Sequence, residues 1–205
     1  MVDIGPALDR VNTVAYGATM VTMVETRAGE RIGPDDWVRG AFGVLLREGI
    51  AGVRVEPLAA RLGVTKGSFY WHFADRNALH AAMLDHWRMI ATRDIIVRVE
   101  RVRGGARAKL RHLIAMTAGR EAARLETAMR GWARQDATVA TAIAAADRER
   151  IAYVAGLLGA LGVKSAAADL RARFLYLAVI GGYFSQAEHV SGARGFWREI
   201  ENLIS

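Results

Sequence analysis

A run of hydroxyl, aromatic and basic side chains follows a glycine-containing turn in the first half of the chain. A helix over this run places Phe69 and Phe73, four residues apart, on one inner face. The other faces then carry Lys66, Gly67, Ser68, Tyr70, Trp71 and His72. Ammonium, phenol and imidazole groups donate hydrogen bonds to phosphate oxygens, and a glycine lets the backbone approach a duplex closely. The run predicts phosphate contacts plus a few base contacts, although packing roles for its three exposed ring residues stay open.

Two short helices are needed to present this face to a duplex. Leu58, Ala59 and Leu62 give the first helix a buried stripe. Gly63 follows the stripe, where a helix end favours a left-handed residue, and Thr65 offers an N-cap oxygen to the second helix. Helices joined by three or four residues that include glycine are typical of the helix-turn-helix motif, predicted here over residues 54–73. The second helix of such a motif enters the major groove of DNA.

The run from Leu58 to Phe73, continued by Asp75-Arg76-Asn77-Ala78-Leu79, resembles the DNA-binding domain of the tetracycline-repressor (TetR) family. The resemblance extends from about residue 35 to about residue 87. The family motif ends in Tyr-x-His-Phe, a basic residue and a leucine, and the chain matches it with Tyr70, His72, Phe73, Arg76 and Leu79. Arg76 stands where lysine is more common, which keeps the charge. Pro57 is less usual, but the first turn of a helix tolerates proline.

The resemblance implies an all-α fold in two parts. We expect an N-terminal three-helix helix-turn-helix domain at residues 34–82 and a C-terminal helical domain for ligand binding and dimerisation at residues 83–205. The candidate DNA-binding residues are Arg54, Thr65, Lys66, Gly67, Ser68, Tyr70, Trp71, His72 and Arg76. Of these, Tyr70, His72 and Arg76 are expected on phosphates, while Ser68 and the helix start contribute more to sequence choice.

The overall composition restricts which chemistry and which binding partners are possible. The chain has 205 residues, a net charge of +7 and no cysteine, which excludes disulfides and thiolate chemistry and is consistent with a cytoplasmic protein. Residues 34–90 hold seven Lys or Arg and six Asp or Glu, so the predicted DNA-binding part is only +1. The excess lies around Arg98, Arg101, Arg103, Arg107, Lys109 and Arg111. That cluster is a solvated helix face, an extension of the contact with DNA, or a site for an acidic ligand.

Residues 1–33 form an N-terminal extension to which the sequence assigns no role. The apolar stretch from Val11 to Val24 is too short to span a membrane, and it lacks the features of a signal peptide. Beyond this extension the apolar spacing is helical nearly throughout. The first helix is expected to end at Gly49, Asp75 to cap a fourth helix running toward Arg101, and Gly104-Gly105 to mark a boundary. Further helices are predicted at 106–117, 121–134, 137–160, 166–189 and 193–204.

Two strongly apolar helices near the C-terminus need a partner surface. The residues concerned are Leu158, Leu161, Phe174, Leu177, Ala178, Gly181, Gly182 and Phe184. A soluble chain buries such helices in its core or against a partner. The family resemblance implies a four-helix interface of a homodimer, and paired motifs would read half-sites about one helical turn apart on a roughly palindromic operator.

The middle helices carry residues suited to a small-molecule pocket. His112, Met116, Met129, Trp132 and Tyr153 combine adaptable apolar area with a few polar groups. Each could equally be a plain core residue. An apolar or aromatic effector suits this composition better than a highly charged one.

Signs of catalysis or cofactor binding are weak. The sequence has no HExxH, no Gly-x-Ser-x-Gly elbow and no phosphate loop, so we expect no enzymatic activity, no metal and no cofactor. The leading hypothesis is a homodimeric repressor that an effector releases from double-stranded operator DNA, with no membrane partner. The alternative is a small-molecule-binding or scaffold protein with a vestigial DNA-binding motif, supported only by the near-neutral charge of residues 34–90.

Overall fold

The computed structural model describes residues 32–117 and 119–185, and within these ranges the chain is all-helical without strands. The first four helices are α1 (Pro34–Glu48), α2 (Val55–Arg61), α3 (Lys66–Tyr70) and α4 (Arg76–Arg88). A π-helical segment (Met89–Arg93) joins α4 to α5 (Asp94–Glu100). The remaining helices are α6 (Gly105–Thr117), α7 (Arg120–Ala133), α8 (Ala137–Ala160) and α9 (Ser165–Phe184). The predicted all-α class is confirmed.

Local sequence signals explain the ends of the first helices. Proline begins α1 with two acidic residues behind it, where the positive end of the helix dipole favours them. Gly49 and Gly63 both adopt left-handed backbone, with φ of 72° and 69°, and so allow the two sharp turns around α2. Thr65 caps α3 by accepting a hydrogen bond from the Ser68 amide, 3.3 Å from its Oγ1. The predicted turn chemistry of residues 54–73 is therefore present.

The helix-turn-helix is held by one aromatic centre. Trp37 of α1 and Phe69 of α3 are both fully buried, and their rings meet edge to face at 5.2 Å. Phe73 is also buried and lies 5.5 Å from the Phe69 ring. Because Phe69 and Phe73 face inward as predicted, the other side chains of α3 are left on the outer surface.

The helix that begins at Asp75 continues well beyond the DNA-binding motif. Asp75 caps α4 by accepting a hydrogen bond from the Ala78 amide at 2.8 Å. Leu79, Met83 and Trp87 form its buried stripe. The continuous path through the π-helical segment to Glu100 agrees with the predicted run toward Arg101.

The later helices form a bundle of long elements. Gly104 and Gly105 take left-handed backbone, with φ of 109° and 75°, at the predicted boundary before α6. Asp136 caps α8, which occupies the predicted residues 137–160. The helix predicted at 166–189 is present as α9 up to Phe184. The predictions for residues 1–31, for 186–189 and for a helix at 193–204 lie outside the described residues.

The buried apolar side chains of the described residues form two separate clusters. The first contains the core of α1–α4 together with Leu125, Met129, Trp132, Val139, Ile143 and Ala146. The second joins α6, the C-terminal half of α8 and α9 through residues such as Leu110 and Leu158. The helix-turn-helix therefore shares its core with α7 and the start of α8, because residues 34–91 alone leave an apolar face on α1 and α4. None of the described helices is both long and apolar enough to cross a bilayer.

Candidate DNA-binding surface and buried cavity

The outer face of α3 presents aromatic groups to solvent. Trp71 is 88% exposed and Tyr70 is 53% exposed, although the Tyr70 ring still rests edge-on against Phe69 at 5.3 Å. Gly67 is exposed and Ser68 is half-buried. Large exposed aromatic side chains contribute no core packing, so a ligand for this face is the simplest reason for their presence.

Lys66, the first residue of α3, already has a partner. Its ammonium donates a hydrogen bond to Oε1 of Glu56 on α2 at 2.6 Å, and both side chains are well exposed. This bond raises the pKa of Lys66 and lowers the pKa of Glu56. Exposed ion pairs are weak in water, so a phosphate can take the place of Glu56 at little cost.

His72 is tied to the segment that precedes α1. Its Nε2 lies 3.0 Å from the carbonyl oxygen of Ile32, a distance at which a protonated Nε2 donates a hydrogen bond. Its exposed ring thus links the end of α3 to the start of the domain. A His72 that holds this bond has only Nδ1 left for a phosphate, so the contact predicted for His72 competes with a structural one.

The remaining predicted DNA-binding residues flank α3. Arg54 is the exposed N-cap residue of α2, and Arg76 is the exposed first residue of α4. Thr65 is exposed as well, but its hydroxyl oxygen is used in capping α3. Eight of the nine residues are exposed and Ser68 is half-buried; they lie on or next to α3 and at the N-terminal ends of α2 and α4, and Thr65 serves the backbone first.

Comparison with known proteins identifies this arrangement. Residues 38–83 match the family model for bacterial regulatory proteins of the tetR family, which covers α1 to α4. Residues 38–83 form a DNA-binding domain of the TetR family. No curated protein sequence matches the chain.

Solved structures share the fold over most of the chain. A transcriptional regulator from Rhodococcus sp. Rha1 is 18% identical with a TM-score of 0.64, covering 84% of this chain and 94% of its own. A second Rhodococcus protein, described as a TetR-family transcriptional regulator, is 20% identical with a TM-score of 0.67, covering 84% and 98%. The reduced form of NemR from E. coli is 17% identical with a TM-score of 0.65, covering 83% and 93%. At these identities the likeness establishes the fold alone.

The helices after the TetR-family domain contain a partly open cavity of about 90 Å³ between α5, α6, α8 and α9. Its walls are mainly aliphatic and include Ile95, Leu110, Leu113, Val154, Val179 and Ile180. Seven polar side chains also line it, namely Thr92, Thr117, Glu126, Arg150, Tyr153, Tyr176 and Tyr183. An apolar space with a few fixed polar groups is typical of small-molecule sites.

The polar end of the cavity is a buried charge cluster. Glu126 is only 4% exposed, and its Oε1 accepts hydrogen bonds from Arg130 at 2.9 Å and from Arg150 at 3.0 Å. Arg130 also donates to both oxygens of Asp147, at 2.7 and 3.1 Å. The Tyr176 hydroxyl donates to Asp147 and accepts from Arg130, and burial together with the bond to Asp147 raises the pKa of Tyr176. Two carboxylates and two guanidinium groups thus compensate one another in the interior.

Arg150 connects this cluster to the helix that leaves the DNA-binding domain. Its Nε donates to Thr92 Oγ1 and its Nη2 to the Ala91 carbonyl, both at 3.0 Å. Its guanidinium also stands 5.1 Å from the centre of the Trp87 ring. Ala91 and Thr92 belong to the π-helical segment, so one side chain of the cavity fixes the backbone that follows α4.

Four of the five predicted pocket residues lie elsewhere. Only Tyr153 lines the cavity, and its hydroxyl donates to Glu100 at 2.6 Å. Met129 and Trp132 are buried in the first core, where the Trp132 ring meets His80 of α4 edge to face at 5.0 Å. His112 and Met116 are half-buried on α6 and do not line the cavity. The structure does not bring the five together, because α7 turns Met129 and Trp132 toward the DNA-binding domain.

The residues that the sequence analysis missed are the charged ones. Glu126 and Arg130 stand at i and i+4 on α7, and Asp147 and Arg150 at i and i+3 on α8. Oppositely charged pairs at these spacings usually stabilise a solvated helix face, so spacing alone does not distinguish a buried cluster.

The predicted dimer residues divide into core and surface. Leu158 is fully buried inside the subunit and belongs to the second core. Phe174, Leu177 and Phe184 are 64%, 62% and 54% exposed, and Leu170 on the same helix is also exposed. Ala178 and Gly181 are exposed, while Leu161 and Gly182 are half-buried. We call the exposed surface formed by Leu170, Phe174, Leu177, Ala178, Gly181 and Phe184 the α9 face.

Among the described residues, no group of three or more His, Asp or Glu side chains is arranged to hold a metal ion.

Proposed function

We propose that this chain is a homodimeric repressor that binds a roughly palindromic operator and is released by a small apolar or aromatic effector. The observation that carries the proposal is the pairing of an exposed α3 face with a cavity whose Arg150 holds the segment behind α4. One part meets DNA, the other accepts a ligand, and a single continuous helical path joins them.

DNA binding is assigned to the exposed ends of α2, α3 and α4. Tyr70 and Arg76 are placed to contact phosphates, and Lys66 joins them once it exchanges Glu56 for a phosphate. Ser68 and Gly67 near the start of α3 are the best candidates for contacts with base edges, because the beginning of a recognition helix lies deepest in the major groove.

Dimerisation is assigned to the α9 face. Covering these exposed apolar side chains with a partner would stabilise the complex by about 25 cal/mol for each Å² of apolar surface removed from water. A Cβ built on Gly181 or Gly182 meets no atom of the described residues within 4 Å, so as far as these residues reach, both positions are open to close approach by another helix. A second copy of the chain is the proposed occupant, because two recognition helices are needed to read a palindrome.

Effector release is assigned to the cavity. A ligand between α6, α8 and α9 displaces walls that also hold Arg150 and therefore biases the position of Ala91 and Thr92. A change there alters the direction of α4 and the separation of the two recognition helices in a dimer. For a 100-fold release, the effector needs about 2.7 kcal/mol of differential affinity between the two states.

Selection of bound sequences from a random duplex pool, followed by binding at several salt concentrations, tests the DNA assignment. The proposal expects a roughly palindromic site and an affinity that falls steeply with salt. Ligand binding without any salt-dependent duplex affinity would instead favour the alternative of a small-molecule-binding or scaffold protein, which the small +1 charge of residues 34–90 supports.

Sedimentation of Gly182→Leu tests the dimer. A Cβ at this position meets none of the described residues, so the monomer should fold while dimerisation and operator binding are lost together. Ala81→Leu, at an exposed position of α4, is the control and should behave as wild type. A stable wild-type monomer that still binds the operator tightly at micromolar concentration contradicts the dimer proposal.

A further inference from the structure

We infer that the cavity selects a neutral, largely apolar ligand that carries one hydrogen-bond donor, a hydroxyl or an N–H group, which binds Oε2 of Glu126. The inference rests on the proposed effector function and adds the chemical class of the ligand. The hydrogen bonding of the charge cluster leaves one acceptor of a cavity-lining residue unbonded and few donors.

The two carboxylate oxygens of Glu126 differ in their hydrogen bonding. Both guanidinium groups bind Oε1, from Arg130 at 2.9 Å and from Arg150 at 3.0 Å. Among the described residues, Oε2 makes no hydrogen bond, yet it is not one of the fully enclosed unbonded side-chain atoms. Glu126 lines the cavity, and we take its Oε2 to be the oxygen that a ligand there can reach. A buried carboxylate oxygen without a partner is costly, and a ligand donor removes that cost.

The neighbouring polar groups offer a ligand much less. The hydroxyl protons of Tyr153, Tyr176 and Tyr183 are donated to Glu100, Asp147 and the Thr117 carbonyl respectively. Arg150 already donates to Thr92, Ala91, Glu126 and Tyr176. Thr92 Oγ1, which accepts from Arg150, is the one cavity hydroxyl whose proton has no acceptor among the described residues. Any other bond to a ligand that only accepts would displace a protein contact, whereas a donor meets the unused oxygen of a charged group.

Charge balance favours a neutral ligand. Glu126 and Asp147 carry two negative charges, and Arg130 and Arg150 carry two positive charges in contact with them. A cation adds an uncompensated charge beside two guanidinium groups, and an anion meets Oε2 directly. The aliphatic walls then select for an apolar body, and the volume of about 90 Å³, smaller than the roughly 150 Å³ cavity that holds one benzene ring, limits that body to a small one.

Phenol and toluene form a matched pair of probes, because they share a shape and differ by a hydroxyl in place of a methyl group. Titration calorimetry of the full chain should show phenol binding at least about tenfold more tightly than toluene, as expected for a hydrogen bond to a charged group. Anisole, which only accepts, should resemble toluene, and benzylammonium should bind less tightly than phenol. Equal binding of phenol and toluene, or tighter binding of benzylammonium, overturns the inference.

Glu126→Gln tests the acceptor itself. The amide oxygen can face the two arginines and leave an NH₂ group toward the cavity, so the preference for phenol over toluene should fall to about twofold or less. Glu121→Gln makes the same change at an exposed position of α7 and should keep the wild-type preference. An unchanged preference in folded Glu126→Gln overturns the inference.

A crystal structure of the wild-type chain with phenol provides a test that does not depend on the variant folding. The phenol oxygen should lie within about 3.2 Å of Glu126 Oε2, and an oxygen bound to the Arg150 guanidinium instead overturns the inference. Operator binding with and without phenol separates the two proposals. Glu126-dependent phenol binding that leaves operator affinity unchanged supports the ligand class and contradicts effector release, whereas absence of binding by every probe contradicts the ligand class.

Discussion

The surface of α3 and the polar end of the cavity both rely on charged residues, but in opposite physical settings. Lys66 and Glu56 pair in water, where the interaction is weak and easily exchanged. Glu126 and Arg150 pair in the interior, with side chains only 6% and 15% exposed, where breaking the pair leaves an uncompensated charge. Exposure to water suits the α3 surface, because Lys66 must exchange Glu56 for a phosphate when it binds DNA. A cluster that must hold the backbone of Ala91 and Thr92 in place requires the second.

The largest contrast is expected between two tryptophans. Trp132→Ala removes a buried ring shared by α4 and α7 and should lower the free energy of unfolding by about 3–5 kcal/mol. Trp71→Ala removes a ring that is 88% exposed. It should change the free energy of unfolding by less than about 0.5 kcal/mol and should weaken operator binding. Urea denaturation and operator titration of both variants measure this. If the Trp132→Ala variant is stable and binds operator normally but is no longer released by effector, then Trp132 belongs to the effector pocket, as predicted from sequence.

The two kinds of ion pair can be compared by removing one arginine from each. Arg150→Met leaves Glu126 with one guanidinium partner and should cost about 3 kcal/mol in the free energy of unfolding. Arg61→Met breaks the exposed pair with Glu48 and should cost less than about 1 kcal/mol. Denaturation at low and at high salt checks the difference, since salt screens the surface pair far more. Equal costs for the two variants would remove the basis of the comparison.

Arg76→Ala should weaken operator binding on every sequence about equally and reduce the slope of log affinity against log salt by about one. Arg76 begins α4 and is exposed, so its loss leaves the fold intact. Ser68→Ala is the matched change on α3 and should alter base preference with an unchanged slope. The assignment of Arg76 to phosphate fails if its variant changes base preference and keeps the wild-type slope.

Glu56→Gln should strengthen operator binding by about twofold to fivefold, because Lys66 then no longer gives up a carboxylate when it meets a phosphate. Gln keeps the size of the side chain, so the packing of α2 is preserved. Equilibrium binding to one operator at fixed salt measures the gain. Glu48→Gln, whose partner is Arg61 rather than a residue of α3, should give a smaller change.

The smallest expected effect is a loss of stability at acidic pH caused by protonation of His80. Burial lowers the pKa of His80 below its ordinary value of 6.5, with a further lowering by Arg76 and an opposing effect of Asp136. The unfolded chain therefore binds the His80 proton at a higher pH than the folded chain does. The contribution of neutral His80 to the free energy of unfolding is therefore fully present above about pH 6.5. It is lost as the pH falls below that value and through the pKa of His80 in the folded chain. His80→Phe keeps a ring against Trp132 and should flatten this loss between pH 6.5 and 5; an equally steep loss contradicts the role of His80.

The DNA-binding motif could be predicted from sequence because its determinants are local. Gly63 must follow the last turn of α2, Thr65 must precede α3, and Phe69 and Phe73 must share one face. Each of these requirements acts over a few residues, so spacing and residue type are sufficient. The long helices were predicted with nearly correct limits for the same reason.

The sequence by itself determined the helices, the exposed face of α3 and the apolar excess of α9. Only the tertiary structure decided that Trp132 completes the core of the DNA-binding domain and that Leu158 lies inside the subunit. It also decided that Glu126, Arg130, Asp147 and Arg150 converge on a cavity. The physical reason is that an amphipathic pattern fixes which residues face away from water but not which helix covers them. Charges 24 residues apart become a buried pair only when α7 and α8 pack against each other.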